Sequence, residues 1–300
     1  MIEGILWVVQ NIALAFVNFF TAITNPASWL DWSNPEAVMR FIYYGGSVEL
    51  FFVVFTAFLV LTIVGFWKNE IMWSAVRVLE GIGNTVGRFA AWAGLIMVLQ
   101  QIVIIFVQRI FASAELSFGF GVPLTKDISW WAEELKLYNA MIVCLCVTYT
   151  FIQGGHVRVD LIYSAVQYRT KKLIDMFGAL IFMIPATVLT WMYGWYFLWR
   201  HLVVPKPSAS DQLEQLLRKS VAFRWNIETI GFSPNGFNGY FLFKILLVLF
   251  TALVFLQAMA FFYRSYLEWK EGEESEGKYL DRDVLGDENA ELVHHIEEHH

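Results

Sequence analysis

The sequence predicts an all-α fold: a polytopic transmembrane helical bundle of about six spans with interfacial amphipathic helices. Two observations carry the prediction. Of the 300 residues, 57% are hydrophobic and only 16% charged, whereas a soluble domain has about 45–50% apolar and about a quarter charged residues. The apolar residues also gather into runs near the ~20 residues that cross a bilayer as helix, at 5–23, 48–67, 89–111, 137–153, 173–199 and 240–263. A formal net charge of −6, much of it in the last thirty residues, gives no reason to expect a nucleic-acid partner.

The first run carries Gln10, Asn11 and Asn18 and begins without a basic segment or a small-residue cleavage site. It reads as a retained helix that packs on other helices. After it, the stretch NPASWLDWSNPE places Trp29 and Trp32 in the headgroup zone. Asn34 caps a helix that has Pro35 in its first position and Glu36 in its first turn. The second run, 48–67, holds Glu49 close to its start, within reach of headgroups.

Between the second and third runs, Glu70, Ser74, Arg77, Gly81, Asn84 and Arg88 recur at spacings of three and four, with Ile71, Ala75, Val78, Leu79 and Ile82 opposite. This pattern predicts an amphipathic helix in the interface plane or docked on another subunit. The G83-x-x-x-G87 pair lies outside an apolar core and is a weak match to a helix-packing motif. The fourth run, 137–153, is the shortest. In the fifth, Trp191, Trp195 and Trp199 line up at helical spacing as a lipid-facing aromatic anchor. The polar loop 200–239 holds a cap at Ser210 or Asp211 for a short helix to about Lys219. From Glu271 onward the chain is acidic and poor in aromatics, which predicts disorder.

Chemistry-bearing constellations are scarce. There is no G-x-S-x-G, no HExxH, no glycine-rich phosphate loop and no carboxylate pair inside a run, so no enzyme is predicted. A haem needs paired axial ligands on one cavity. His156 follows the fourth run and His201 the fifth, which puts them on opposite faces, roughly 30 Å apart. The remaining histidines, His294, His295, His299 and His300, lie in the tail. Cys144 and Cys146 are two apart on one helix and face different sides. No cofactor and no metal are expected. The first rival reading, a membrane anchor for a redox enzyme, therefore lacks its ligands. A second rival is a self-sufficient transporter or channel.

The most unusual segment is Q153-G-G-H-V-R-V-D-L-I-Y163. Gly154-Gly155 breaks the helix. If 156–160 is extended, His156, Arg158 and Asp160 share one face; if it is helical, His156 and Asp160 stack and Arg158 points away. Either way it forms an elbow at a membrane boundary. Its order of residues resembles the most recognisable motif of the small membrane subunit, the DctQ type, of tripartite ATP-independent periplasmic (TRAP) transporters. W130-W-A-E-E-L135 with Tyr138, the run GFSPNG from Gly231 to Gly236, Lys244 and Gln257 are similar to other parts of that family's pattern.

The resemblance covers roughly 85–270 and implies three units: an N-terminal extension over 1–84 with two spans, a four-helix membrane domain over 85–270, and a tail over 271–300. It further implies a non-catalytic partner of a large M permease subunit, working with a periplasmic substrate-binding protein and membrane lipids in ion-gradient-driven uptake of an organic acid. In that frame His156, Arg158 and Asp160 fix the elbow and face the partner or headgroups. Glu133 and Glu134 start a helix at the opposite boundary. The chain is expected in a bacterial inner membrane. Lys68, Arg77 and Arg88, with Arg158, Arg169, Lys171 and Lys172, place both termini on the cytoplasmic side by the positive-inside rule.

Overall fold

The computed structural model describes residues 2–118, 124–154, 166–203 and 236–281, with positions 210, 212, 214, 215 and 218 between the last two stretches. The described chain is helical apart from one β-hairpin. In order, the helices are α1 (Ile2–Thr24), α2 (Ala27–Leu30), α3 (Pro35–Tyr44), α4 (Val48–Trp67) and α5 (Asn69–Arg109). The hairpin of β1 (Glu115–Phe118) and β2 (Leu124–Asp127) follows, antiparallel with Glu115 opposite Asp127. Then come α6 (Ile128–Leu145), α7 (Val147–Ile152), α8 (Tyr168–Gly178), a π-helical turn (Ala179–Met183), α9 (Ile184–Val203) and α10 (Tyr240–Glu271).

Five of the six predicted runs fall in helices long and apolar enough to cross a membrane: Ile2–Thr24, Val48–Trp67, Asn69–Arg109, Tyr168–Trp199 and Tyr240–Glu271. The sixth, 137–153, is split between α6 and α7 at Cys146, whose thiol reaches the Gly87 carbonyl at 3.4 Å. The helix starts follow local chemistry. Asn34 accepts the Glu36 backbone N–H at 3.0 Å with Pro35 at the first position, as its sequence predicts. Ser47 does the same for Leu50 at 3.2 Å, with Glu49 exposed in the first turn of α4.

α10 is the axis of the bundle. It runs antiparallel to α5, as Trp73 meets Glu271 and Glu80 meets Arg264, and antiparallel to α8–α9, as Lys172 meets Glu268 and Gly194 meets Val248. Its core is Met72, Trp73 and Val76 of α5 against Met259, Tyr263 and Leu267, with Phe58 and Leu61 of α4 alongside. Tyr263 is fully buried; its hydroxyl donates to the Phe58 carbonyl at 3.1 Å and shares a hydrogen bond with Thr62 at 3.0 Å. That pair leaves no unmet polar group where lipid could not supply one.

The π-turn keeps α8–α9 in phase with α10. At 3.6 residues per turn, an uninterrupted helix starting at Lys172 would rotate Leu198 and Leu202 off the axis. One extra residue in a π-helical turn takes up that drift. Lys172, Ala179, Gly194, Leu198 and Leu202 are accordingly all buried.

Two expectations are corrected here. The amphipathic segment is not a separate helix but the first half of α5, continuous with the third span. Its inward face carries polar as well as apolar residues. Met72, Trp73, Val76, Glu80, Gly83 and Asn84 are buried, while Ile71, Val78 and Ile82 are exposed. The mixed inner face is possible because α10 and the chain beyond it supply partners for Glu80 and Asn84. The second correction concerns the tail. Residues 272–281 are folded, turning back through Gly272 (φ 96°) and Gly277 (φ 71°) to lie along α5. Residues 282–300 lie outside the described residues.

Candidate functional site

At one end of the bundle, four elements converge on a buried ionic lattice. Glu80 of α5 accepts from Arg264 of α10 twice, Nε to Oε1 at 2.7 Å and an Nη to Oε2 at 2.6 Å. One turn on, Glu268 accepts from Lys172 of α8 at 2.7 Å and lies 3.5 Å from Arg264. These four side chains are each no more than about a tenth exposed. Two carboxylates and two cations cancel, and the paired fork geometry of Arg264 with Glu80 is the stronger type of charge-assisted bond. Arg264 also stacks over the Trp73 ring, 5.5 Å from its centroid.

The folded segment 272–281 closes this lattice as a strap. Arg264 donates to the Lys278 carbonyl at 3.0 Å, and Glu268 accepts the Gly277 N–H at 3.2 Å. Lys278 approaches Glu271, itself held by Trp73 and Asn69 at 3.0 Å each. Asp281 of the strap takes a two-pronged hydrogen bond from Arg88 at 2.9 and 3.0 Å and a further one from Asn84 at 3.1 Å. The Arg88 guanidinium, foremost, holds the Asp281 carboxyl below its usual range.

The predicted elbow begins beside this anchor. Gly154 caps α7 in the left-handed region (φ 80°), and Gln153 donates to the Asp281 carbonyl at 3.0 Å. His156, Arg158 and Asp160 themselves lie outside the described residues, as does most of the predicted 210–219 helix. Behind the elbow, Gly83 and Gly87 lie against α7: an added Cβ at Gly83 would meet Thr148 and Ile152 at 3.2 Å, and one at Gly87 would overlap Tyr149. The glycine pair that reads as a weak motif is the close helix contact that positions α7.

At the opposite end, Glu133 and Glu134 sit in the second turn of α6, not its first, and act as cross-links. Glu133 accepts the Phe237 N–H at 2.9 Å, just before α10. Glu134 accepts from Gln100 of α5 at 3.1 Å and from the Tyr138 hydroxyl at 3.4 Å. The tryptophan stripe is likewise used within the chain. Trp191 and Trp195 donate to the Gly45 and Ile42 carbonyls at 2.6 and 3.0 Å, satisfying the otherwise open end of α3. Trp199 packs edge-on to Phe41, ring centroids 4.9 Å apart. These three rings are half-buried and staple α3 onto α9, where the sequence suggested lipid contact.

Sequence reasoning missed the lattice because its members lie far apart in the chain: residue 80 pairs with 264, and 172 with 268. A signal was present in Glu80, an acid interrupting the inward face of α5, and in Arg264 and Glu268 at helical spacing in the last run. Among the described residues no cluster of histidine, cysteine and carboxylates is placed to hold a metal ion.

The family model described as "Tripartite ATP-independent periplasmic transporters, DctQ component" matches residues 118–214, from the hairpin through α6, α7, α8 and α9. No curated protein and no solved structure matches.

Proposed function

We propose that this chain, a DctQ-family component of a tripartite ATP-independent periplasmic transporter, braces the large M permease subunit of that transporter in a bacterial inner membrane. The family match carries the reading. The geometry supports it in one respect: four buried charges at one end of α5, α8 and α10 satisfy each other. A lattice of that kind holds helices in fixed relation, which suits a scaffold against which another subunit moves. Uptake would be driven by an ion gradient, with sodium as the coupling ion, and an organic acid would arrive on a periplasmic substrate-binding protein. His156, Arg158 and Asp160, following an elbow whose start is pinned by Gln153 and Asp281, are the residues we assign to the partner or to headgroups. Both termini would be cytoplasmic, with the lattice at the cytoplasmic end.

A mild-detergent pull-down of this chain from native membranes, with mass spectrometry of what accompanies it, tests the reading. A stoichiometric large multi-span permease is the expected result. The chain purifying alone, or solute flux in liposomes that hold only this chain, would overturn it.

A further inference from the structure

The first half of α5 has three distinct sides. Met72, Val76, Glu80 and Gly83 face the core. Ile71, Val78, Ile82 and Phe89 form an outward apolar stripe, with Val78 62% and Phe89 78% exposed. Between these two, Glu70, Ser74, Arg77 and Arg88 form an exposed polar strip. On that strip Arg77 lies over Tyr279 of the strap, 4.9 Å from the ring centroid, and Arg88 holds Asp281. Water-facing and apolar strips therefore run side by side along the same turns of helix. A membrane surface crossing an upright helix would separate such residues by height and not by side.

The lengths agree. At 1.5 Å per residue the 41 residues of α5 extend about 60 Å, and the 32-residue stretches Tyr168–Trp199 and Tyr240–Glu271 about 48 Å each. The hydrocarbon layer is only about 30 Å thick. The boundary markers are also staggered. α4 ends at Trp67, 82% exposed, and Lys68, beside the first residue of α5. α7 ends at Ile152 against Gly83, fourteen residues further along α5 by number, or about 20 Å.

We propose that the α5–α10 bundle crosses the bilayer obliquely, with its long axis about 50–60° from the membrane normal (helices of about 48–60 Å across a 30 Å layer), well beyond the usual tilt of about 20°. Acyl chains then cover the Ile71–Val78–Ile82–Phe89 stripe, while the Glu70–Ser74–Arg77–Arg88 strip and the strap lie at the water interface. The occupant of the stripe is lipid because the equally exposed Leu173, Ile174 and Phe177 of α8 and Ile63 and Phe66 of α4 surround the same end of the bundle. A single docked helix would leave those uncovered.

Spin labels at Ile71→Cys, Ser74→Cys and Leu99→Cys, in the full chain with both native cysteines replaced by serine and reconstituted in liposomes, test this by collision with oxygen and with a water-soluble nickel chelate. Ile71 lies nearer the outer end of α5 than Ser74, so an upright helix cannot keep 71 in lipid while 74 is in water. The expected result is oxygen access with loss of nickel access at 71, as at 99, and nickel access at 74. Nickel access at both 71 and 74 would mean an upright bundle projecting into water and would overturn the proposal. Exclusion of both reagents at 71 would mean a protein partner or second copy on the stripe, and would overturn it too. Infrared dichroism on oriented bilayers provides the second measurement: a mean helix tilt near the usual ~20° refutes the oblique bundle even if the labelled chains misfold.

Discussion

Replacing Glu80 with alanine removes one carboxylate from a lattice of two anions and two cations that are all nearly buried. Arg264 loses both of its short bonds to Glu80 and keeps Glu268, at 3.5 Å, the Lys278 carbonyl, at 3.0 Å, and the Trp73 ring. The buried group is left with one excess positive charge, its nearest further anion being the exposed Glu276, 3.5 Å from Lys172. Breaking a buried pair from one side costs about 3–5 kcal/mol. The remaining contacts of Arg264 place the expected cost near the lower end, about 3 kcal/mol. The double replacement Glu80→Leu with Arg264→Met removes both charges and should recover most of that loss, since apolar substitutes for buried ion pairs are often neutral or better. Denaturant unfolding in mixed micelles of the native chain, Glu80→Leu, Arg264→Met and the double variant, read as a double-mutant cycle, measures the coupling. A Glu80→Ala cost below about 0.5 kcal/mol, the level of ordinary surface substitutions, would refute the claim that the lattice is dry and mutually dependent.

Four other outcomes follow from separate contacts. Arg88→Ala breaks a half-exposed pair with Asp281 and should cost no more than about 1 kcal/mol, with greater protease sensitivity of the strap as its main effect. Asp281 has a folded pKa below its ordinary 3.8, chiefly through Arg88; its contribution to strap docking is thus present above that ordinary value and lost as pH falls through the lower folded one. Strap release measured by proteolysis on acidification should therefore lose one component in Asp281→Asn, and an unchanged profile would count against the assignment. Gly87→Leu, whose side chain would overlap Tyr149, should separate α7 from α5 and cost about 1–3 kcal/mol as an overpacked contact, while Gly81→Leu, with open space around it, should be silent in the same unfolding assay. Arg158→Ala should lower recovery of the complex with the large subunit in detergent while leaving membrane insertion of the chain unchanged, as read by the ratio of co-purified to total subunit.

What the sequence reveals here depends on how far an interaction reaches. Span placement is legible because lipid imposes a run length, so 48–67 matches Val48–Trp67 residue for residue. The α3 cap is legible because Asn34, Pro35 and Glu36 act within one turn. The inward face of α5 is not, because periodicity separates a polar from an apolar side without saying which one the rest of the chain covers. Here lipid takes the apolar side, and distant Arg264 and Asp281 satisfy the polar residues on the other. The tryptophan stripe shows the same limit: its spacing is evident, but an indole N–H finds a backbone carbonyl of α3 only once the chain has folded.

The π-helical turn at Ala179–Met183 has a consequence for how this chain can change over time. The turn works as a phase lock between two docking surfaces, Lys172 with its acid partner on one side and the Trp191–Trp195 staple on the other. Losing a single residue there would turn one surface by about 100° against the other. Either the lysine or the indoles would then face hydrocarbon. Point substitutions in this span can accumulate one at a time, but its length is effectively frozen. Insertions and deletions should be confined to the loops at its two ends.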